Sequence, residues 1–389
     1  KPLDLSMSAV DKYCNEYFDT LPRVRSLDFK QDLDKVPFEP TSAAGYLLPG
    51  KKGDDGNHVR AINQAYAFVK DCIRGNTQHA IDNSIPDMAY TRTQLTKLSE
   101  RLKVRNVFGQ HFAYILIEGL TASPLIDMFV SNDTFFFVGK DPRKGVPSLL
   151  EHATRLGPKL ITTDWSNFDT SVEAWEIIDA FNLLERIIEF PNDDSLAAFE
   201  VARTLFINRK IAAPDGTVYF KERSVPSGSY FTMIIDSIIN WRRILYLHHK
   251  AYGRHPISVW TKGDDALLVV NQEVTAEGLA LQISFQSDWI LNPFKCDEGN
   301  SGSLVQFLQR SLKFGDHARD VEKVERLAIY PEYEVTDGQI SAYRARSLWE
   351  DCNYESHILG FATSWLESKY GVPTNVENKW KLYWQVLST

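Results

Sequence analysis

The chain has 389 residues, of which 43% are hydrophobic and 24% are charged, and its formal net charge is −8. This length exceeds what one hydrophobic core organises and predicts two or three packed subdomains, while the composition is ordinary for a soluble globular protein. The negative net charge argues against indiscriminate binding of nucleic acid over the whole surface, so a polyanion partner would need locally concentrated Lys and Arg.

The longest apolar stretch and the cysteines argue against two further classes of protein. The stretch around Phe112–Val130 is interrupted by Glu118 and Asp127, so we expect no membrane-spanning segment. The four cysteines, at positions 14, 72, 296 and 352, lie far apart and form no C-x-x-C pair. A zinc site or a disulfide framework is therefore not expected, and a reducing compartment is the default interpretation.

The predicted elements of the first half alternate between helix and strand. Residues 60–130 are predicted to be mainly helical, and residues 160–164 to form a buried strand that ends at Asp164. A helix is then expected from Ser171 to Phe190, ending before Pro191.

The second half contains two predicted β-hairpins around a long helix. Residues 206–222 form the first hairpin, with Pro214-Asp215-Gly216 as its turn, and residues 257–270 form the second. Apolar residues at helical spacing predict a helix from Tyr230 to His249, and residues 320–389 are expected to be rich in helix. Because the alternation lacks a regular βαβ rhythm, the sequence predicts an α+β fold.

The turn of the second predicted hairpin carries two adjacent carboxylates. Gly263-Asp264-Asp265 lies between two apolar, β-prone runs, so the hairpin presents both aspartates at its tip. Crowded carboxylates repel unless a cation offsets their charge, and hard divalent ions such as Mg²⁺ prefer oxygen ligands. Alone the tripeptide is a weak signal, because Asp and Gly are common turn formers.

The same tripeptide occurs a second time in the chain. Gly53-Asp54-Asp55 lies in a Gly- and Lys-rich stretch with no flanking strands. We expect this copy to be a solvated loop rather than a metal site.

A second acidic element lies one hundred residues before the hairpin turn. Asp164 ends a predicted strand, and Asp169 follows in the turn or in the first residues of the next helix. The alternative interpretation, in which Asp169 or Ser171 only caps that helix, leaves Asp164 unexplained.

A third element combines a glycine-containing loop with a polar stripe on a helix. The loop holds Ser227 and Gly228, and Thr232, Asp236 and Asn240 follow at i, i+4 and i+8 on one helix face. An ordinary helix cap with buried polar residues is the alternative.

In their order and spacing, these three elements resemble motifs A, B and C of viral RNA-dependent RNA polymerases. The resemblance implies a right-hand fold of fingers, palm and thumb, and an enzyme that replicates and transcribes a viral RNA genome. It implies that Asp164 and Asp264 bind two Mg²⁺ ions, for which Mn²⁺ can substitute, with Asp265 in support. The implied partners are an RNA template, the nascent strand and ribonucleoside triphosphates.

Shorter segments resemble further motifs of these polymerases. Thr41, Ser42 and Gly45 lie in a segment like motif G, which lines the template path, although a Ser/Thr loop is the alternative. The basic stretch Arg92–Arg105 resembles motif F, whose cations meet the incoming triphosphate; a solvated helix face is the alternative. The candidate cations in this stretch are Lys97, Arg101, Lys103 and Arg105.

Two segments after the hairpin resemble motifs D and E. Lys295, in Asn-Pro-Phe-Lys, would act as a general acid toward the leaving pyrophosphate, although a surface Lys is equally compatible. Phe307, Leu308 and Arg310 would form the primer grip. The implied subdomains are fingers at 1–155, palm at 156–190, a fingers insertion at 191–224, palm at 225–310 and thumb at 311–389.

The choice between RNA and DNA synthesis depends on the residue five places after Asp164. Reverse transcriptases usually carry an aromatic residue there, whereas Asp169 can accept a hydrogen bond from a ribose 2′-hydroxyl. A reverse transcriptase and an inactive polymerase-like RNA-binding protein remain the alternatives.

Asp236 departs from the picornavirus-like pattern, which has Asn at this position. An Asp-Ser pair here resembles partitivirus-like polymerases of double-stranded RNA viruses, with picobirnavirus-like enzymes as the nearest competitor. This resemblance implies a capsid protein as a further partner, and a location in the virion interior or the host cytoplasm.

Overall fold

A computed structural model describes residues 1–75, 77–93, 104–284, 287–331, 335 and 337–372. The described helices are α1 Leu5–Asp19, α2 Asn57–Arg74, α3 Thr77–Asp82, α4 Phe112–Ser131, α5 Pro142–Leu156, α6 Phe168–Ser171, α7 Ala174–Glu185, α8 Asp193–Ile207, α9 Thr232–Tyr252, α10 Ala276–Ala280, α11 Val321–Ile329, α12 Gly338–Asp351 and α13 His357–Tyr370. The described strands are β1 Val24–Arg25, β2 Asp87–Thr93, β3 Val104–Gly109, β4 Lys159–Thr163, β5 Ile188–Glu189, β6 Arg209–Ala212, β7 Val218–Lys221, β8 Ser258–Lys262, β9 Asp265–Val270, β10 Glu298–Gly299, β11 Ser311–Lys313 and β12 Asp316–Ala318.

The central sheet has the strand order β10-β4-β9-β8 and is antiparallel throughout. Side chains alternate between the two faces of a strand. Leu268 and Val270 accordingly pack into the main hydrophobic core, whereas Leu267 and Val269 pack into a second core on the other face. Burial on both faces explains why β9 is a continuous apolar run. The predicted hairpin at residues 257–270 is confirmed.

The outer sheet has the strand order β3-β2-β6-β7. Strands β6 and β7 form the first predicted hairpin, and Gly216 in its turn has a φ of +86°, which a glycine adopts without strain. The mainly helical prediction for residues 60–130 is wrong at β2 and β3. These strands pair with each other over six residue pairs, and β2 also pairs in parallel with β6, more than one hundred residues away.

Helix α4 lies in the middle of the main core. It is long and apolar enough to cross a membrane, and among the described residues no other helix is. However, 72% of its most apolar window is buried inside the protein. Glu118, in the middle of the helix, is also buried and is hydrogen-bonded to protein partners, which is typical of a core helix.

The helix expected from Ser171 to Phe190 is shorter than predicted. Helix α7 begins at Ala174, because Glu173 and Glu176 form a capping box in which each side chain accepts from the other residue's backbone. It ends at Glu185, and Ile188–Glu189 then pair with Val24–Arg25 as parallel strands. Neither Asp169 nor Ser171 caps α7, so the capping interpretation of these residues is wrong.

The C-terminal region is rich in helix over its described residues, as predicted. Helices α11, α12 and α13 enclose a small separate core formed by Val324, Leu348, Cys352 and Leu359. Helix α5 packs against the β11–β12 hairpin and joins this region to the central sheet. Strands and helices are thus mixed without βαβ units, and the predicted α+β class is confirmed.

Candidate active site

The three predicted metal ligands meet at one edge of the central sheet. Thr163, the last residue of β4, pairs with Ala266 of β9, so Asp164 emerges beside Asp265. The β8–β9 hairpin turns between Lys262 and Asp265, which pair with each other. Asp264 therefore lies at the tip of the turn, next to the strand that delivers Asp164.

The carboxylates at this edge repel one another. The Asp265 side chain reaches the solvent, but protein atoms surround much of it. The resulting desolvation, together with the charges of Asp264 and Asp164, raises the pKa of Asp265 to about 7. Within the described residues, no three His, Cys, Asp or Glu side chains form a ready-made group for a metal ion. An all-oxygen donor set of adjacent carboxylates nevertheless fits a hard divalent cation such as Mg²⁺.

The hairpin turn is held from below by helix α9. The N–H of Gly263 donates to Ser237 Oγ (2.9 Å), and the Gly263 carbonyl accepts from Asn240 Nδ2 (2.9 Å). Asn240 Oδ1 in turn accepts from Trp165 Nε1 (2.8 Å), next to Asp164. One amide side chain thus links the residue after Asp164 to the turn that carries Asp264.

The structure gives Asn240 a supporting position. Asn240 is completely buried and both ends of its amide are bonded to protein atoms. A side chain so engaged positions the turn and the segment after Asp164, and a direct contact of Asn240 with the nucleotide, which the resemblance to motif B implies, stays a prediction. Ser237 and Trp165 are the supporting residues that the sequence did not single out for this role.

Asp236 lies close enough to Asp169 and Asp264 for their charges to act on it. Asp236 is buried, and its Oδ1 has no hydrogen-bond partner in the part of the chain that the structure describes. Burial raises the pKa of Asp236 well above its usual range, and the negative charges of Asp169 and Asp264 add to the effect. Asp169 is exposed, close to the surface of the site.

Arg243 forms a buried ion pair beneath these acids. Its guanidinium donates twice to the Glu176 carboxylate, both at 2.7 Å, and once to Ser171 Oγ (3.0 Å). Both charged side chains are almost fully buried. This pair fixes α7 and the segment after Asp169 against helix α9.

The loop before α9 is docked on strand β3. Ser227 Oγ accepts from the Phe108 N–H (3.0 Å), and a Cβ on Gly228 would lie only 1.9 Å from the Phe108 carbonyl oxygen. Only glycine therefore fits at position 228. Thr232 Oγ1 donates to the Pro226 carbonyl and closes the loop onto the helix.

Glu118 of helix α4 anchors the same loop from the inside. Its carboxylate accepts from the Tyr230 N–H (2.7 Å), Ser229 Oγ (2.7 Å) and Gln110 Nε2 (2.8 Å). Arg209 of β6 supplies the opposite charge at 3.4 Å and also binds Asp87 at 2.7 Å. The loop is thereby tied to the outer sheet.

The predicted template segment packs against the start of α4. Gly45 has a φ of +111°, and a Cβ there would lie 2.7 Å from the His111 Cα, so a side chain is excluded. Thr41 is exposed, and Ser42 Oγ accepts from Lys52 Nζ at 2.8 Å.

Three of the four predicted triphosphate-binding cations, Lys97, Arg101 and Lys103, lie outside the described residues. The backbone of Arg105 pairs with Arg92 in the β2–β3 ladder, which leads from the docked loop toward the undescribed segment.

Lys295 is exposed in a short 3₁₀ turn that is attached to the acidic edge. The Asn292 N–H donates to the Asp164 carbonyl (3.0 Å), and Leu291 forms a β-bridge with Trp165. The backbone of this segment is therefore bonded to Asp164 at Asn292, which lies three residues before Lys295.

The predicted primer-grip residues are buried. Phe307 and Leu308 belong to the second core, and Arg310 is 1% exposed and paired with Asp351 of α12. Buried side chains of this kind can support a primer grip from inside the fold, and the assignment of these residues to the primer grip stays a prediction. Gln309, at the tip of the tight turn between Phe307 and Arg310, is the exposed residue of this segment.

Comparison with known protein families gives a match over most of the chain. The model of the viral RNA-dependent RNA polymerase family matches residues 2–366. The genome polyprotein of human hepatitis A virus is 25% identical over 188 residues, which are 46% of this chain and 8% of the polyprotein. The RNA-directed RNA polymerase of Cryptosporidium parvum virus 1 is 35% identical over 108 residues, which are 27% of this chain and 20% of that polymerase. The matches thus span only a small part of these relatives.

Solved polymerase structures share the fold over nearly the whole chain. The sicinivirus 3Dpol RNA-dependent RNA polymerase superimposes with a TM-score of 0.74 at 16% identity, covering 100% of this chain and 86% of that one. The polymerase of a human picobirnavirus gives a TM-score of 0.71 at 15% identity, covering 96% and 72%. These findings support the right-hand polymerase fold and give no support to a reverse transcriptase. The chain belongs to the family of viral RNA-dependent RNA polymerases.

Proposed function

We propose that this chain is an active RNA-directed RNA polymerase, which extends an RNA 3′ end with ribonucleotides by two-metal phosphoryl transfer. The register of the central sheet carries the proposal, because it brings Asp164 next to the Asp264-Asp265 turn. Asp164 and Asp264 would hold two Mg²⁺ ions, or Mn²⁺ in their place, with Asp265 in support. When bound, such ions activate the attacking hydroxyl and stabilise the leaving oxygen.

The residues around the carboxylates would select and orient the nucleotide. Asp169, at the surface of the site, would accept a hydrogen bond from the ribose 2′-hydroxyl, with Asp236 and Thr232 behind it. Ser227 and Gly228 would hold the loop that borders the nucleotide. Lys295 would donate the proton that the leaving pyrophosphate takes up.

Basic and small residues in the first third of the chain would guide the polyanions. Lys97, Arg101, Lys103 and Arg105 would contact the triphosphate, and Thr41, Ser42 and Gly45 would line the template path. We assign fingers to 1–155 and 191–224, palm to 156–190 and 225–310, and thumb to 311–389. The outer sheet supports this division, because β2 from the first fingers segment pairs with β6 from the second.

We further propose that the polymerase serves a double-stranded RNA virus, in the virion interior or the host cytoplasm, with a capsid protein as a partner. The Asp236-Ser237 pair and the similarity to the Cryptosporidium parvum virus 1 polymerase support this assignment.

A templated extension assay tests the proposed activity. The chain is incubated with a self-priming RNA hairpin, Mg²⁺ and labelled ribonucleoside triphosphates, and the products are resolved by length. We expect extension to the end of the template by the natural sequence and none by Asp264→Asn. Incorporation of deoxyribonucleotides in place of ribonucleotides, or unchanged extension by Asp264→Asn, would contradict the proposal.

A further inference from the structure

Lys221 has an unusual position at the end of strand β7. It pairs across the hairpin with Arg209, and its ammonium nitrogen is enclosed without a hydrogen-bond partner among the described residues. Burying an ammonium group costs free energy unless a charge or a hydrogen bond compensates for it. A lysine held in this way requires an explanation.

The charges that face Lys221 come from four elements. They are Arg209 on β6, Asp87 on β2, Asp236 on α9 and Asp169 on α6. Arg209 and Asp87 already satisfy each other at 2.7 Å, and Arg209 also donates to the Leu205 carbonyl at 3.0 Å. Asp236 and Asp169 are therefore the acids that remain to compensate the Lys221 charge. They are also the two acids proposed to recognise the ribose.

Asp236 likewise has a buried polar atom without a hydrogen-bond partner among the described residues, and that atom, Oδ1, is an acceptor. Burial, and then the carboxylates of Asp169 and Asp264, disfavour its ionised form, whereas Arg243 and Lys221 favour it. Arg243 already donates to Glu176 and Ser171. Of the two cations, Lys221 is therefore the one whose N–H donors make no hydrogen bond to the described residues.

We propose that Lys221 is a positioning residue for ribose recognition: its ammonium group favours the ionised form of the Asp236 carboxylate and orients it to accept a hydrogen bond from a ribose hydroxyl. The inference rests on the proposed polymerase function and deepens it. An asparagine at position 236, as in picornavirus-like enzymes, would need no counter-charge. Lysine and aspartate together thus replace one neutral amide.

The surroundings of Lys221 make its charge dependent on these acids. Burial, with a smaller effect from Arg209, lowers the pKa of Lys221 to about 7, and Asp87, Asp236 and Asp169 oppose the shift. Removing the Asp236 carboxylate therefore removes one of the charges that keep the ammonium group protonated.

Discrimination between ATP and dATP tests this role. The value of kcat/KM is measured for both nucleotides on one RNA template with the natural sequence, Lys221→Met and Lys210→Met. Lys210 is a matched control, because it lies on the same hairpin but donates to the Asp82 carbonyl. We expect Lys221→Met to lower kcat/KM for ATP by roughly tenfold and to leave the value for dATP almost unchanged, because the weakened contact is to the hydroxyl that dATP lacks. We expect Lys210→Met to keep the ratio of the natural sequence.

A double substitution separates a charge effect from a packing effect. If Lys221 acts through Asp236, its removal should cost little discrimination in an Asp236→Asn background, so that the two substitutions are strongly non-additive. Lys221→Arg, which keeps the charge, should retain most of the ratio and guards against misfolding of the Met variant.

The outcomes distinguish this inference from the proposed function. An unchanged ATP/dATP ratio in an active Lys221→Met variant, equal losses for both nucleotides, or additive effects with Asp236→Asn would overturn the role of Lys221 alone. Failure of the natural sequence to extend RNA would overturn the polymerase function, and the role of Lys221 with it.

Discussion

The two Gly-Asp-Asp copies of this chain have the same residues and different surroundings. Gly53-Asp54-Asp55 lies in an exposed loop before α2, where Asp54 Oδ2 accepts from the Lys51 N–H (2.7 Å). Gly263-Asp264-Asp265 forms the tip of a hairpin whose second strand, β9, is buried on both faces and pairs with the strand that delivers Asp164. The tripeptide itself does not make a site; the sheet that presents it does.

Each copy is held by one asparagine, but the two asparagines hold different things. Asn57 Nδ2 donates to the Pro49 and Lys51 carbonyls and so only closes its own loop. Asn240 joins the hairpin turn to Trp165, next to a second carboxylate. Asn57 supports only its own loop, whereas Asn240 joins two segments that lie far apart in the sequence. Only the second kind of support can fix the relative positions of carboxylates, which catalysis requires to be precise.

The largest predicted difference is between Asp264→Ala and Asp54→Ala. We expect Asp264→Ala to reduce the rate of RNA extension by on the order of 10³-fold or more, because it removes a charge that a bound cation needs. Asp54→Ala should stay within about twofold of the natural sequence, as is usual for surface positions. Single-turnover extension measures both, and comparable losses in the two variants would break the distinction.

The arginine three residues after each of the two asparagines provides the next contrast. Arg243 is buried against Glu176, so Arg243→Met should lower the free energy of unfolding by about 3–5 kcal/mol, because it leaves a buried carboxylate unpaired. Arg60 donates to Asn57 Oδ1 at 3.3 Å from an exposed position, and Arg60→Met should change stability by no more than about 0.5 kcal/mol. Urea unfolding compares them, and similar midpoints would show that the support of the hairpin copy is not special.

The two asparagines are expected to separate activity from stability. Asn240→Leu should lower the extension rate by roughly 10- to 100-fold, since it releases the turn from Trp165. Asn57→Leu should cost about 1–3 kcal/mol of stability through its two unpaired carbonyls and leave the rate nearly unchanged. The rates are measured at a temperature where circular dichroism shows both variants folded. A rate loss in Asn57→Leu alone would reverse the assignment.

The smallest predicted effect is a pH dependence of stability that comes from His111, at the start of α4. His111 caps α4 by accepting from the Ala113 N–H, and burial lowers its pKa to about 4. In the unfolded chain its pKa is about 6.5, so protons bind the unfolded state first and stability falls as the pH drops below that value. Between pH 7 and 5.5 we expect the natural sequence to lose about 1 kcal/mol more than His111→Asn, which keeps a capping oxygen. Urea unfolding at both pH values measures the difference, and equal losses would exclude His111 as the titrating group.

Local patterns in the sequence were sufficient for the parts of the fold that they determine. The hairpin around Asp264 and the α9 helix follow from the spacing of their apolar residues, and the order of the acidic elements indicated the family. Strands β2 and β3 were missed; they pair mainly with each other, and β2 also pairs with β6, more than one hundred residues away. Their own residues do not decide between helix and strand.

Side-chain roles proved harder to predict than elements. Arg310 resembles a primer-grip residue in sequence, yet its partner Asp351 lies on a helix that no motif indicates. Asn240 is on the predicted face of α9, but only the fold shows that Gly263 and Trp165 occupy its amide. Lys221 carries no sequence signal, because its significance depends on acids from three other elements.

Metal binding by the two copies tests the central claim most directly. Mn²⁺ is titrated calorimetrically into the natural sequence, into Asp264→Asn/Asp265→Asn and into Asp54→Asn/Asp55→Asn, which remove equal charge. We predict that the loop variant binds Mn²⁺ like the natural sequence and that the hairpin variant loses the binding. Retained binding in the hairpin variant, with loss in the loop variant, would contradict the assignment of the polymerase site to Asp164, Asp264 and Asp265.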